Sequence, residues 1–356
     1  MPRRNGMKRY ASKYRSLPKS DIIGYSGFDQ SRLECLEPLR DGYYRVSKDS
    51  VGGDAPKDFI RVYEHGRAFR SSSRAWPAFV AKVGHKWYPN ESITEHFLTR
   101  LGQAIGVRIA DSRLMMAHGQ LRFLSRFFLR RRTGDSLVHG AEIFAGHLAR
   151  QSGNLPQDEM NFVEEVEDKD LSRSFFTFQF VEEAVRSEFP EAAPDILDDF
   201  VTLLAFDGLV GNNDRHYFNW GVITDIRGKR TPRLAPIYDT ARALFWNTVD
   251  GKLEERAKDP PEQRSHFLEK YVKSSFPKTG WDGLEKPTHF ELLENISKNT
   301  HYQEVMRSLC DVDVESAAQN LLDGPEFRDL FSETRKKFVV ECLALRRKNF
   351  RRSIGC

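Results

Sequence analysis

The period of the hydrophobic pattern changes near residue 135, and this change constrains the fold of the chain more than any other feature. Between residues 40 and 125, apolar residues alternate or form short runs, as they do in strands. Such stretches lie at 43–47, 59–63, 79–83 and 121–128. One helix interrupts them from Glu91 to Ile105, where apolar residues share a face and Gly106 is suited to the C-cap.

Beyond residue 135 the apolar residues recur at helical spacing. The clearest helix covers 196–210 and should end near Gly211, because Asn212 and Asn213 are turn residues. A strand at 220–224 follows, then a hairpin turn at 225–229 and a second strand at 233–238. Residues 262–352 are again mostly helical, and the basic run at their end is expected on a solvated face.

This order of elements predicts an α+β fold of two lobes with a cleft between them. Residues 1–39 are expected to form a basic N-terminal arm or an extra strand or helix, 40–130 a β-rich lobe, and 131–356 a mainly helical lobe. The connection between the lobes is placed near 126–137. The chain has 356 residues, of which 39% are apolar, and this is enough for a core of the necessary size.

The composition argues against several classes of protein. A net charge of +4 is small for this length and does not by itself indicate a nucleic-acid-binding protein. No apolar run approaches the ~18 residues of a membrane span, and the basic start lacks the apolar segment of a secretory signal. The four cysteines form no CxxC pair and the histidines form no HExxH motif. We therefore predict no disulfide framework, no zinc or other structural metal, and a reducing cytoplasmic location.

The segment GNNDRHYFN at 211–219, followed by APIYD at 235–239, has the side chains that phosphoryl transfer needs. Transfer requires a carboxylate that orients or deprotonates the attacking hydroxyl, and oxygen ligands that hold Mg²⁺ against the phosphates. Asp214 follows an apolar helix and is the candidate base, whereas Asn219 and Asp239 are candidate Mg²⁺ ligands. An ordinary turn at Asp214 and a helix N-cap at Asp239 are the structural alternatives.

Two further segments contain features of a phosphate-binding site. Adjacent glycines in SVGGDAPK at 50–57 would let backbone N–H groups approach a phosphate, and Lys57 would add a positive charge. Lys82 stands among apolar residues in FVAKV, where its charge requires a partner or an anion. Glu95 and, one turn earlier, Glu91 are the candidate partners on the following helix. A hairpin turn, a solvated edge-strand lysine and a first-turn acid at Glu91 are the alternatives.

Together these segments resemble the HipA family of serine/threonine kinases, which are toxins of bacterial toxin–antitoxin pairs. The likeness runs from about Tyr43 to about Ala243 and rests on six segments in the family's order. They are SVGGDAPK at 50–57, FVAKV at 79–83, EHFLTRLGQAIGV at 95–107, FLSRF at 123–127, GNNDRHYFN at 211–219 and LAPIYD at 234–239. The resemblance implies a two-lobed protein-kinase-like fold and the use of ATP and Mg²⁺.

The resemblance also implies roles for particular residues. Asp214 would be the catalytic base, and Asn219 and Asp239 would hold Mg²⁺. Lys82, with Glu95 as its partner, would bind ATP phosphate. The nucleotide loop would comprise Gly52, Gly53, Asp54, Ala55, Pro56 and Lys57, and further nucleotide contacts would come from Ser125, Arg126, Phe127, His216 and Tyr238. Ser50 stands where family members can be autophosphorylated, which ejects the loop, and a charge of about −2 there would repel ATP.

The family resemblance further implies partners. The substrate would be a protein, with an aminoacyl-tRNA synthetase or another translation factor as the expected class. A small helix-turn-helix antitoxin would bind the kinase, DNA would be contacted only through that antitoxin, and no membrane contact is expected. Longer members carry an extra N-terminal subdomain, which is expected to be absent because the loop motif begins at residue 50.

Two other functions remain open at this point. DRHxxN also occurs in phosphoinositide kinases, so a lipid or small-molecule kinase is one alternative. An inactive pseudokinase that serves as a binding module is the other. A pseudokinase would be expected to have lost one or more of the residues that catalysis needs. The chain retains four of them, namely Lys82, Asp214, Asn219 and Asp239, which argues against this alternative.

Overall fold

The computed structural model describes residues 17–47, 57–66, 69–130 and 134–356. Eight strands form two sheets in these ranges. They are β1 (Tyr44–Val46), β2 (Lys57–Val62), β3 (Ala78–Lys82), β4 (Ser112–Ala117), β5 (Gln120–Arg126), β6 (Asp135–His139), β7 (Gly221–Asp225) and β8 (Arg233–Leu234). Two short 3₁₀ helices lie at Gln30–Cys35 and Ser73–Ala75.

The first sheet has five antiparallel strands in the order β1-β2-β3-β5-β4. Because side chains alternate along a strand, Phe79 and Ala81 of β3 are buried in an apolar cluster on one face. Lys82 points to the other face, where its Nζ lies 5.2 Å from the ring centroid of Phe123. The register places Lys82 opposite Lys57, so two lysines are neighbours at one end of the sheet.

Helices make up most of the rest of the described chain. They are α1 (Asn90–Ala104), α2 (Gly140–Ser152), α3 (Pro156–Asp168), α4 (Ser172–Phe175), α5 (Phe178–Glu188), α6 (Ala193–Val210), α7 (Asp250–Ala257), α8 (Pro261–Lys273), α9 (His289–Ile296), α10 (Thr300–Cys310), α11 (Val314–Asp323) and α12 (Glu333–Ile354). None of these helices combines the length and the apolar character that crossing a membrane requires, a statement that covers the described residues.

Helix α6 lies at the centre of the helical lobe. Its apolar residues, among them Phe200 and Phe206, are buried in one cluster that also contains Phe97 of α1 and Phe338 of α12. Each large apolar side chain that is buried contributes about 1.5–3 kcal/mol, so this shared core fixes the helix firmly. The helix ends at Gly211, whose φ of +77° is easily adopted by glycine.

The predicted α+β class is confirmed. The helices, however, do not begin at residue 135, because residues 135–139 form a strand. Strand β6 precedes the helices and pairs with β7, with Val138 opposite Val222. Strand β4 was not predicted. The strand predicted at 233–238 ends at Leu234, because Pro236 has no N–H for a ladder. Ile237 pairs instead with Ile109, far away in sequence.

The basic run near the C-terminus does not lie wholly in solvent, contrary to expectation. Arg346 of α12 is 1% exposed, and its Nε donates to the carbonyl of Gly208 at 2.9 Å. Its guanidinium also lies 5.3 Å from the ring centroid of Phe290. The arginine is buried because α12 packs against α6 near the end where helix carbonyls lack partners and attract cations.

No disulfide framework was predicted, but one pair of cysteines in the described residues is bonded. Cys310, at the end of α10, is bonded to Cys356, which follows α12. The two residues are 46 positions apart, so no local spacing motif marks them. Packing of α12 beside α10 brings them together. The cysteines at 35 and 342 are free.

Candidate active site

Strand β3 and helix α1 bring a lysine and a glutamate together. Lys82 Nζ donates to Glu95 Oε1 at 2.6 Å, and both side chains are nearly buried. The carboxylate of Glu91 accepts instead from the backbone N–H groups of Lys86 and Trp87, each at 2.9 Å. Glu91 therefore anchors the turn before α1, whereas Glu95 is the partner of the lysine.

Asp239 reaches the same lysine from the helical lobe. Its Oδ1 accepts from Lys82 Nζ at 3.0 Å, and its Oδ2 lies 3.9 Å from Nζ of Lys57. Its φ of +58° is one that non-glycine residues adopt at a cost of about 1–3 kcal/mol. Two backbone hydrogen bonds of Ile237, two residues earlier, fix the chain that leads to Asp239. The N–H of Ile237 donates to the carbonyl of Arg108 at 2.9 Å, and the carbonyl of Ile237 accepts from the backbone N–H of residue 110 at 2.8 Å.

Burial and charge oppose each other in this cluster. Burial raises the pKa of Glu95 to about 7, although the neighbouring Lys82 acts to lower it. Burial also lowers the pKa of Lys82, but Asp239 and Glu95 outweigh it and the pKa lies above its usual value. For Asp239, burial raises the pKa, but Lys82 and Lys57 reverse this and hold it well below the usual range. Lys82 and Asp239 are therefore charged at neutral pH.

A buried ion pair fixes the loop that follows α6. Arg215 donates through Nε and Nη2 to the two carboxylate oxygens of Asp207, at 2.8 and 3.0 Å. Its Nη1 donates to the backbone carbonyls of Asn219, at 2.8 Å, and of Tyr238. Arg215 is 2% exposed, and charge-assisted hydrogen bonds are strong in such surroundings. One side chain thus joins α6, the 211–219 loop and the chain before Asp239.

Asp214 lies in this loop, with most of its carboxylate removed from solvent. Arg242 Nη1 donates to Asp214 Oδ1 at 2.8 Å. Burial raises the pKa of Asp214, and the charge of Arg242 is the largest influence that opposes the rise. A partly exposed arginine that can move away leaves a carboxylate suited to accept a proton from a hydroxyl.

Asn219 lies beside Asp214 and is oriented by it. Its Nδ2 donates to the backbone carbonyl of Asp214 at 2.7 Å, so the amide oxygen is the atom of this side chain that can ligate a cation. Together with ionised Asp239 it offers hard oxygen donors, which suit Mg²⁺ when phosphates and waters complete the coordination. Within the described ranges, no group of three His, Cys, Asp or Glu residues could hold a metal. The residues fit an ion shared with a nucleotide rather than a closed structural site.

Three of the residues expected to contact the nucleotide, at positions 125–127, lie at the end of β5 and directly after it. Ser125 is opposite Val80 of β3, and the ring of Phe127 packs 4.9 Å from that of Phe59 on the face that carries the two lysines. The Arg126 side chain points to the opposite face, since neighbours on a strand alternate, and its Nη1 lies 3.8 Å from Glu64. The assignment of these residues to nucleotide binding stays a prediction.

His216 lies in the 211–219 loop, and Tyr238 lies beside it. His216 Nδ1 accepts from the backbone N–H of Phe218 at 3.2 Å, and burial lowers the pKa of its ring, which favours a neutral histidine that stabilises the loop. The Tyr238 hydroxyl lies 3.2 Å from Nδ1 of His139, and its ring centroid lies 5.7 Å from that of Phe128. Tyr238 therefore connects the loop to the chain after β5.

Part of the predicted site cannot be placed, and part of the site was not predicted. Ser50 and the loop residues Gly52, Gly53, Asp54, Ala55 and Pro56 lie outside the described residues. Sequence reasoning missed the pairing of Asp207 with Arg215, although a carboxylate in the apolar stretch 196–210 signals a buried partner. It also missed Arg242, for which the sequence has no signal beyond its position three residues after Asp239.

The chain is similar in sequence to known proteins. The family described as HipA-like C-terminal domain matches residues 50–312. The predicted kinase Y4mE of Sinorhizobium fredii is 27% identical over 169 residues, which are 48% of this chain and 36% of Y4mE. The matched region therefore spans little more than a third of that curated relative.

Two solved structures are also similar to the chain. The proinflammatory kinase CtkA of Helicobacter pylori aligns with a TM-score of 0.65 and 16% identity, over 90% of this chain and 99% of CtkA. The HipA–HipB–operator DNA complex of Shewanella oneidensis MR-1 aligns with a TM-score of 0.38 and 14% identity, over 96% of this chain and 74% of the matched one. The similarity to CtkA supports the two-lobed kinase-like fold, and the second score is too low to add to it.

Proposed function

Because the chain belongs to the HipA-like C-terminal domain family, we propose that it is an ATP- and Mg²⁺-dependent kinase that phosphorylates serine or threonine in a protein. The observation that carries the proposal is Lys82, held 2.6 Å from Glu95 and 3.0 Å from Asp239. Kinases use such a lysine on the phosphates, a helix glutamate that positions it, and an aspartate at the metal. The fold shared with CtkA supports the same function.

In this proposal ATP lies in the cleft between the lobes. Its adenine would lie near Phe59 and Phe127, and its phosphates near Lys57 and Lys82. Asn219 and Asp239 would hold Mg²⁺, which supplies positive charge to the phosphates when it is bound. The N–H donors of Lys82 that now meet Asp239 would turn to phosphate oxygens.

Asp214 would act on the acceptor. It would orient the serine or threonine hydroxyl and take its proton as the hydroxyl oxygen bonds to the γ-phosphorus and the bond to the ADP oxygen breaks. Arg242 must first release Asp214, and at 31% side-chain exposure it has room to turn away. Arg215 would not touch the reactants; it keeps the loop in place.

The Asp214→Asn variant tests the assignment of the base. We expect transfer from [γ-³²P]ATP to lysate proteins to fall by about 10²–10⁴-fold, the usual contribution of a general base, with an unchanged melting temperature. Asp311→Asn is the matched control, because Asp311 is exposed and lies outside the loop. If Asp214→Asn transfers phosphate as fast as Asp311→Asn, the assignment is wrong.

The alternatives are separated by two further measurements. Mg²⁺-ATP should raise the melting temperature of the parent, since a ligand stabilises the state that binds it. Stabilisation by Mg²⁺-ATP without any phosphate transfer would favour an inactive binding module. Phosphate transfer to lipid or small-molecule acceptors alone would favour a lipid or small-molecule kinase. Phosphoproteomics of cells that express the parent or Asp214→Asn should reveal phosphoserine or phosphothreonine on the substrate.

The remaining elements of the proposal rest on the family alone. They are a translation-related substrate such as an aminoacyl-tRNA synthetase, a helix-turn-helix antitoxin through which DNA is contacted, and a cytoplasmic location that suits both. Autophosphorylation at Ser50 is proposed to silence the kinase, since added negative charge beside a phosphate site repels ATP. Mass spectrometry should find phosphate on Ser50 of the parent and none there in Asp214→Asn; phosphate confined to other residues would contradict it.

A further inference from the structure

Helix α1, which carries Glu95, is tied to the C-terminal part of the chain by polar contacts next to that glutamate. Nε2 of His96 lies 2.8 Å from Oε1 of Glu326. One turn later, Nε of Arg100 donates to both carboxylate oxygens of Glu326, at 3.0 and 3.1 Å. His96 is 1% exposed, whereas the Glu326 side chain is 42% exposed, so a buried histidine meets a carboxylate at the surface.

Apolar contacts reinforce the same connection. The ring of Phe97 lies 5.5 Å from that of Phe327 and 5.6 Å from that of Phe331, both edge to face. The 326–331 segment follows helix α11, which itself packs against α1. It also lies beyond residue 312, where the match to the family ends. A part of the chain outside that match therefore holds the helix of the lysine partner.

The contacts of His96 and Arg100 continue toward the second carboxylate of the site. Nδ1 of His96 lies 2.8 Å from the Ser112 hydroxyl, and Nη1 of Arg100 donates to Asp111 at 2.8 Å. Asp111 directly follows the 108–110 segment, which is hydrogen-bonded to Ile237. Ile237 lies two residues before Asp239. Both carboxylates around Lys82 are thus connected to the two residues that Glu326 binds.

We infer that Glu326 is a positioning residue for the nucleotide site. Through His96 and Arg100 it holds α1 and the 108–112 segment, and thereby sets how Lys82 lies between Glu95 and Asp239. This inference rests on the proposed function, because its effect is exerted on nucleotide binding. It gives a role to the 326–331 segment, which the family resemblance leaves without one.

The electrostatics of the contact agree with a fixed arrangement. Burial lowers the pKa of His96, so the neutral ring donates from Nε2 to Glu326 and accepts at Nδ1 from the Ser112 hydroxyl. The hydrogen bond from His96, aided by Arg100, lowers the pKa of Glu326 to about 2. Removal of this carboxylate takes the acceptor from the buried Nε2–H of His96 and the ion-pair partner from Arg100, which weakens the attachment of α1 to the 326–331 segment.

The test compares Glu326→Ala with Glu315→Ala. Glu315 is a matched control because it makes an ion pair of 3.2 Å in the same C-terminal region, and the partner of its carboxylate is Arg347 of α12 rather than a residue of α1. Binding of the non-hydrolysable analogue AMP-PNP with Mg²⁺ is measured by calorimetry, which requires no turnover. We expect Glu326→Ala to weaken binding by about fivefold and Glu315→Ala to leave it unchanged.

A double mutant shows whether the effect passes through Glu95. In a Glu95→Gln background, Glu326→Ala should weaken AMP-PNP binding by less than it does in the parent, because one of the two carboxylates that Glu326 positions around Lys82 has already been lost. Hydrogen exchange should also rise in residues 90–104 of Glu326→Ala and not of Glu315→Ala. A general loss of stability would not produce either pattern.

The outcomes separate the two proposals. If the parent binds no Mg²⁺-AMP-PNP, the proposed function fails and this inference fails with it. The positioning role is refuted, while the proposed function stands, if the parent binds the analogue and Glu326→Ala binds it equally well. The same conclusion follows if the Glu326→Ala substitution weakens binding equally in the parent and in the Glu95→Gln background.

Discussion

Replacement of Lys82 by methionine gives the sharpest test of the arrangement at the site. Methionine keeps most of the length of the side chain and removes its charge. Glu95 and Asp239 would then share a buried site without the cation that lies 2.6 and 3.0 Å from them. Loss of one partner of a buried ion pair costs about 3–5 kcal/mol, because the other charge stays uncompensated.

The pH dependence of this cost follows from the pKa of Glu95. With Lys82 present, that pKa is already raised to about 7, and loss of the lysine, which lowers it, must raise it further. A carboxyl whose folded pKa is raised contributes stability at low pH and loses it as pH rises through the folded pKa. Below about pH 7 Glu95 is therefore protonated in both proteins, and the charge left uncompensated in Lys82→Met is that of Asp239. Above that pH the difference in stability between the two proteins grows, by up to about 1.4 kcal/mol per pH unit.

The assay is thermal unfolding at pH 6.5 and pH 8.5 without nucleotide. At about 2–4 °C per kcal/mol, Lys82→Met should melt roughly 6–20 °C below the parent at pH 6.5, and the gap should widen at pH 8.5. Lys86→Met, four residues away and exposed, should melt within about 2 °C of the parent at both pH values. A Lys82→Met gap as small as that of Lys86→Met, or one that narrows at pH 8.5, would refute the reasoning.

Other predictions follow from the same contacts. Because Arg242 opposes the rise in the pKa of Asp214, Arg242→Ala should move the acid limb of the kcat/KM profile to higher pH; an unmoved limb would exclude the contact in solution. Asn219→Ala should raise the Mg²⁺ concentration for half-maximal activity by about tenfold, and an unchanged requirement would remove Asn219 from the metal. Cys356→Ser should lower the free energy of unfolding in urea by about 4 kcal/mol, because the disulfide joins residues that are 46 positions apart. If the variant and the parent unfold at the same urea concentration, the disulfide does not form.

Local pattern predicted the elements that carry the site. The run 79–83 and the helix after it follow from periodicities of two and 3.6, which act over a few residues. The apolar helix that ends at Gly211 follows from the same rule, since glycine adopts left-handed backbone cheaply. Lys82 was singled out because a charged residue among apolar neighbours requires a partner, and Asp214 because it follows an apolar helix and precedes Asn219 and Asp239 in the order that phosphoryl transfer uses.

Pairings between distant segments were not predictable in this way. Strand β6 exists because it pairs with β7, about 85 positions later, and residues 235–239 leave their hairpin because Ile237 meets Ile109. The choice between Glu91 and Glu95 was open in the sequence. It was settled by the direction of the helix relative to β3, which turns Glu91 to the backbone and Glu95 to the lysine.

By itself, therefore, the sequence determined which residues are candidates for the proposed chemistry and the order in which the chain presents them, since these depend on residue type and short-range spacing. The tertiary structure decided which of those residues meet. It brought Asp239 within hydrogen-bonding distance of Lys82 and fixed the 211–219 loop through the ion pair of Asp207 and Arg215. It also placed Glu326 against α1, the helix that contains Glu95. Such contacts arise when packing of a shared core brings together segments that are up to 230 residues apart, and no local pattern encodes that distance.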